Sequence, residues 1–292
     1  MGAQTQPGGF SPGVAARLTL ADGRRAFVKA VDEVNPESPG IHRSEARIAV
    51  ALPADTPAPR LLGSVDADGW VILLFEDIDG WMPAQPWRSD ELSRVIAAMT
   101  DLAAALSPAP IDAPPAATRF HNLGHGWRDL AAARADGDDL MDVSPWARER
   151  LSALVELEAR WPAAVTGATL AHADIRADNI LLTENRVVFV DWPWACLAPR
   201  WFDLVAFLPS VAMQGGPPPE LVLGTHPVGR GANPDDVTTV VAALAGTWIY
   251  LARQPDPAGL PTLRAFQRAQ GAVAHDWLAE RLRSGSARLG LR

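Results

Sequence analysis

The stretch Leu170–Trp192, LAHADIRADNILLTENRVVFVDW, constrains the fold more than any other part of the chain. His172-x-Asp174 is followed by Asn179, five residues after the aspartate, and Asp191 comes twelve residues after Asn179. Between them lie two short β-type runs, 179–183 and 187–190, joined by the polar turn Glu184–Arg186. Such runs around a tight turn predict a hairpin. A hairpin makes neighbours of its two ends, so Asn179 at the entrance and Asp191 at the exit converge. Asn and Asp oxygens together suit Mg²⁺, a hard cation that also takes waters and phosphate oxygens. Asp174, on the loop before the hairpin, would face the same pocket as a base or orienting carboxylate for a hydroxyl nucleophile. These are the parts needed for phosphoryl transfer from ATP.

The string HADIRADN resembles the catalytic loop of the aminoglycoside-phosphotransferase-like kinases, which share the protein-kinase fold. Relatives usually carry Gly after the His, where this chain has Ala173, and a D-F-G or D-x-x-like element where it has Asp191-Trp192-Pro193. Neither departure removes a metal ligand or the base. The resemblance implies an α+β, protein-kinase-like bilobal fold. A small antiparallel sheet plus helix would form a nucleotide-binding lobe over 1–78, and a larger, mostly helical lobe over 79–292 would carry catalysis and substrate binding. It also implies roles. Asp174 would orient and deprotonate the substrate hydroxyl, Asn179 and Asp191 would hold Mg²⁺, and His172 would hold the loop. Arg176, two residues after Asp174, would stabilise the transferring phosphoryl group, with a solvent-facing arginine as the alternative.

Upstream, PGGFSPGV at 7–14 forms a glycine- and serine-containing turn, whose backbone N–H groups at Gly8, Gly9 and Ser11 could cradle phosphate oxygens. A plain loop is an equally good reading of that turn. Strand-like runs at 14–20 and 24–31 flank Asp22-Gly23, a strong hairpin signal. Only about six residues precede the glycine-rich turn, so the first strand of the nucleotide lid is expected to be short or absent. The second run contains Lys29, the sole lysine beside 25 arginines. On a strand facing inward it could reach the α- and β-phosphates of ATP, provided a carboxylate holds it. Glu45, within a predicted helix over 41–52, is the natural partner. Unrelated surface charges are the alternative.

The apolar run 69–75, GWVILLF, predicts a buried strand. By resemblance, the polar segment after it is the hinge, where the Glu76 carbonyl and the Ile78 N–H would bind adenine. A helix follows from Ser89, read as its N-cap. A further helix is expected over 144–160, and Asn233-Pro234-Asp235-Asp236 opens another. Asp203 matches a family aspartate that braces the catalytic loop, or is a helix N-terminal acid.

Net charge is −8, which disfavours a nucleic-acid partner. The single cysteine, Cys196, excludes an intrachain disulfide framework and fits a reducing, cytoplasmic location. No membrane partner is expected, and the oligomeric state is not legible. The expected partner is a small-molecule hydroxyl compound. An aminoglycoside-like antibiotic would favour an acidic pocket, yet residues 1–80 and 81–292 each carry −4, so acidity is not concentrated in the substrate lobe. The acidic segment 136–142 could face a cationic substrate or simply be solvated. A metabolic sugar or amino-alcohol kinase of the same family, and a non-catalytic nucleotide-binding scaffold on the same fold, are the competing readings.

Overall fold

The computed structural model describes residues 2–5, 13–34, 36–121, 124–257 and 260–288. The chain forms two compact units, one of residues 1–113 with 170–196, the other of 114–169 with 197–292.

The first unit is built on an antiparallel sheet of β1 (Gly2–Thr5), β2 (Val14–Thr19), β3 (Arg25–Asp32), β4 (Leu61–Ala67) and β5 (Trp70–Glu76), in the order β1-β2-β3-β5-β4. Asp22-Gly23 makes the β2–β3 turn, with Gly23 at φ 82°. Asp68-Gly69 makes the β4–β5 turn, both at positive φ, as the right-handed twist of paired strands demands. The first strand is present, and short. β4 lies outside the sequence expectations. Val31, Val71, Leu73 and Phe75 form the buried core of one sheet face. Helix α1 (Ser38–Ala51) packs there through Ala46 and Ala49, and it starts three residues before the expected helix. His42, Glu45 and Ile48 recur along its buried side at helical spacing.

Helix α2 (Ser89–Ala105) follows. Its N-cap position is Arg88, so Ser89 lies inside the first turn and does not cap; Asp90 and Glu91 supply the negative charge that this end favours. The predicted hairpin forms between Ile180–Leu182 and Val187–Phe189, with Ile180 opposite Phe189. Thr183 closes its turn by accepting hydrogen bonds from the N–H groups of Asn185 (3.3 Å) and Arg186 (3.0 Å). Trp81 pairs with Leu182 through both backbone bonds, 2.9 and 2.8 Å. Gly80 permits this approach, since a Cβ there would lie 2.6 Å from the Leu182 carbonyl oxygen.

The second unit is helical. It contains the helix Pro234–Ala252, buried from Thr239 to Thr247 and capped by Asn233, whose side chain accepts from Asp235 N (2.9 Å) and Asp236 N (3.4 Å) as expected. The helix Gly126–Ala135 packs against it, with Trp127 Nε1 donating to the Ala242 carbonyl at 2.8 Å. The single helix expected over 144–160 is instead two pieces, Pro145–Glu149 and Leu151–Glu158, and a third short piece, Trp161–Ala164, follows them. Ser144 caps the first piece, and Pro162, in the first turn of the last piece, cannot continue a preceding helix. The final helix is Leu263–Arg288.

Candidate active site

Lys29, Glu45, His172, Asp174, Arg176, Asn179 and Asp191 lie in the first unit as two linked clusters. In the first, Lys29 Nζ donates to both oxygens of Glu45 (2.7 and 2.9 Å) and to Asp191 Oδ1 (2.7 Å). β3 and α1 set the Lys29–Glu45 pair, and the hairpin exit delivers Asp191. Glu45 is 3% exposed. Burial alone would lower the Lys29 pKa; the two carboxylates outweigh it and hold the ammonium above the ordinary lysine range. Burial pushes Glu45 up despite Lys29. Asp191 is held below the usual carboxylate range, because Lys29 overcomes the effect of its burial.

The second cluster is the loop itself. His172 is fully buried, and its Nε2 donates to the Val190 carbonyl at 2.9 Å. That assignment leaves Nδ1 to accept from Asp174 N at 3.2 Å. Burial pushes the imidazole down to about 4, so it is neutral near pH 7, and Trp192 packs on the ring at 4.5 Å between centroids. Trp192 itself is 2% exposed, a core tryptophan. Asn179 Nδ2 bridges the Asp174 carbonyl (2.8 Å) and Oδ2 (3.1 Å). Arg176 is gripped by both oxygens of Asp178 (3.1 and 3.0 Å), with Asp174 Oδ1 at 3.4 Å. It is largely buried, not solvent-facing. Burial pushes Asp174 up to about 7, partly offset by Arg176. The clusters join where Val190 N donates to the Asn179 carbonyl at 3.0 Å, immediately before Asp191.

Two residues here have positive φ: Ala173, on the loop, at 67° and Asp191, at the hairpin exit, at 69°. The first is the position where the resemblance leads to an expected Gly, and this backbone conformation is one that glycine adopts freely. Aspartate tolerates the conformation better than most residues.

Glu76 ends β5, its N–H donating to the Arg60 carbonyl at 2.8 Å and its carboxylate facing Arg60 and Arg186. Ile78 is buried, and its carbonyl accepts from Arg17 Nη2 at 2.9 Å. Gly8, Gly9 and Ser11 lie outside the described residues. Asp203 lies in the first turn of Phe202–Met213, in the second unit. Sequence reasoning missed the Lys29–Asp191 link, the Asp178 grip on Arg176 and the Arg17 contact. Only the second had a local signal, the i,i+2 spacing of Arg176 and Asp178.

The profile of the phosphotransferase enzyme family matches residues 5–233, which take in both clusters. The chain belongs to that family. A curated family relative, aminoglycoside 3'-phosphotransferase of Streptomyces fradiae, is 28% identical over 130 residues. That match takes in 43% of this chain and 47% of the relative, so the chain spans about half the length of the curated protein it matches. An aminoglycoside phosphotransferase solved with ADP and hygromycin B superimposes with a TM-score of 0.62 at 13% identity, covering 98% of this chain and 94% of that one. A choline kinase of Streptococcus pneumoniae gives 0.61 at 14% identity, covering 96% and 94%. The family member thus has the protein-kinase-like fold, and the described residues contain no helix long and apolar enough to cross a membrane.

Proposed function

We propose that this family member is a cytoplasmic small-molecule kinase that transfers the γ-phosphate of ATP to a hydroxyl group. One observation carries the reading: a buried lysine is held by a helix glutamate and by the aspartate at the hairpin exit, beside a loop whose Asp174 carboxylate is oriented by Asn179. The donor chemistry fits the cofactor. Asp191 is ionised with Oδ1 on Lys29, and the Asn179 side chain adds a second hard oxygen, so these two residues would hold Mg²⁺. Bound there, the cation would neutralise phosphate charge that develops during transfer.

The protein's own groups divide the remaining work. Lys29, fixed by Glu45, presents a charge to the α- and β-phosphates. Glu76 offers its carbonyl and Ile78 its N–H to adenine, while Gly8, Gly9 and Ser11 cradle phosphate. Asp174 accepts the proton of the substrate hydroxyl, and Arg176, kept straight by Asp178, faces the transferring group. His172 positions Asp174 through its backbone and takes no proton. Lobes at 1–78 and 79–292 remain part of this proposal.

The acceptor is the finer question. The curated relative's name supports an aminoglycoside-like antibiotic, and hence a resistance role. The acidic segment 136–142 does not add to that support, because Arg253 already pairs with Asp138 (2.7 Å) and Asp142 (2.8 Å). A sugar or amino alcohol is the alternative acceptor. The test is incubation with Mg-ATP and a panel of aminoglycosides, macrolides, peptide antibiotics, sugars and amino alcohols, read by mass spectrometry. A product heavier by one phosphate names the acceptor class. Nucleotide binding without any phosphorylated product across the panel would favour the scaffold reading.

A further inference from the structure

We propose that Arg17 makes the site select adenine over guanine nucleotides; this rests on the assignment of Glu76–Ile78 as the base-binding segment. In the β2–β3 ladder Arg17 lies opposite Phe27, and Ala15 lies opposite Lys29. Directly paired residues share a sheet face, as do residues two apart on one strand. Arg17 therefore projects from the face that carries Lys29. Phe27 is in turn opposite Phe75, three residues before Ile78, which sets Arg17 beside the linker.

The guanidinium is fixed at both ends of its fork. Nη2 donates to the Ile78 carbonyl at 2.9 Å, and Nε lies 3.1 Å from Asp77 Oδ1. Asp77 is itself anchored, since Oδ2 accepts from Arg25 Nε at 2.6 Å and its side chain is 2% exposed. Swinging Arg17 away would strip a buried carboxylate of one of its two cations, which is unfavourable.

The two purines make different demands on this segment. Along its pairing edge adenine offers one donor, N6–H, and one acceptor, N1. A carbonyl and an N–H satisfy both, which is what Glu76 and Ile78 supply. Guanine offers an acceptor, O6, and two donors, N1–H and N2–H. With O6 on the Ile78 N–H, those donors fall on the carbonyl of the same residue. That oxygen has two lone pairs, and one already accepts from Arg17, a donor-only group that cannot reverse its role, so guanine's two donors meet a single remaining lone pair. The positive charge of Arg17 also repels two further N–H dipoles. Adenine asks nothing of that carbonyl, so the obstruction acts on the wrong base alone.

The experiment is calorimetric titration of the full chain with ADP and with GDP, each with Mg²⁺. Wild type should bind ADP at least about tenfold more tightly than GDP, and Arg17→Met should bring the ratio below about threefold by tightening GDP. Arg17→Gln, a neutral donor, should fall between them and serves as the readout if Arg17→Met does not fold. Equal affinities in wild type, or an unchanged ratio in the folded variant, would overturn the proposal. Failure of wild type to bind either diphosphate would instead defeat the underlying base-binding assignment, and the proposal with it.

Discussion

Two carboxyl groups, one in each unit, are pushed up to about 7, and burial is the main cause for both. Asp174 sits on the loop before the hairpin, among Arg176, Asn179 and Asp178, with 25% of its side chain still exposed. Glu158 ends the helix Leu151–Glu158, is 1% exposed, and accepts from the backbone N–H groups of Trp127 and Arg128 at 3.1 Å each. Those donors belong to the first turn of Gly126–Ala135, a helix end that lacks a side-chain cap from its own N-cap residue. Glu158 is thus a cap supplied from another helix, closed to any reactant. Asp174 is supported by side chains and open on one side. A raised pKa therefore does not identify a base; access and the nature of the partners do.

Changes on the Asp174 side should show mainly in catalysis. Lys29→Met would leave Glu45 and Asp191 facing each other without a cation, lowering transfer by about 10²–10³-fold and costing roughly 3 kcal/mol of stability. Glu45→Gln, which leaves Lys29 with Asp191, should lower transfer by about tenfold or more, with the smaller stability change. Steady-state kinetics and denaturant titration of both variants separate the two effects.

On the Glu158 side the order reverses. Glu158→Ala orphans two N–H groups and should cost about 2–3 kcal/mol, while turnover per folded molecule stays near that of wild type. The pH dependence carries a definite sign. Glu158 holds its proton in the folded chain up to about 7, whereas in the unfolded chain it ionises near the ordinary 4.5. Its contribution is therefore fully present below that lower value, declines as pH rises across the window, and is flat above it. The stability of wild type relative to Glu158→Gln, measured by denaturant unfolding, should fall as pH rises over the same interval. Activity that falls in step with Asp174 substitutions would break the contrast.

The smallest expected effect is at Ala173, whose φ of 67° suits glycine. Ala173→Gly should stabilise the chain by about 0.5–1 kcal/mol, the relief of left-handed strain less the entropy of glycine. Thermal melting checks it.

Much of the site was legible because its chemistry is local. His172, Asp174 and Asn179 lie within one loop, and the two runs after them form the expected hairpin. Lys29 and Glu45 could be paired because the resemblance to the protein-kinase fold implies an ion pair between a strand lysine and a glutamate of the next helix. Apart from the Asp178 grip on Arg176 and the break at Arg150, which are local, the misses are long-range or edge effects. Asp191 is 162 positions from Lys29, and no spacing announces that contact. Arg17 reads as an ordinary surface charge until the sheet register sets it beside Asp77. β4 is an edge strand, half-buried only at Leu61 and exposed from Leu62 to Ala67, so it lacks the apolar alternation that marks a strand. The break at Arg150 within 144–160 follows from local backbone (φ −107°, ψ 11°) that helical periodicity does not encode.

The central claim, that Asp174 is the group acting on the acceptor hydroxyl, is tested most directly by Asp174→Asn. Asparagine keeps the size and the hydrogen bonding of the side chain but cannot take a proton. On an accepting hydroxyl compound, kcat should fall by about 10²–10⁴-fold, while calorimetry shows Mg-ATP bound nearly as in wild type. A kcat close to wild type, with nucleotide binding intact, would contradict the assignment.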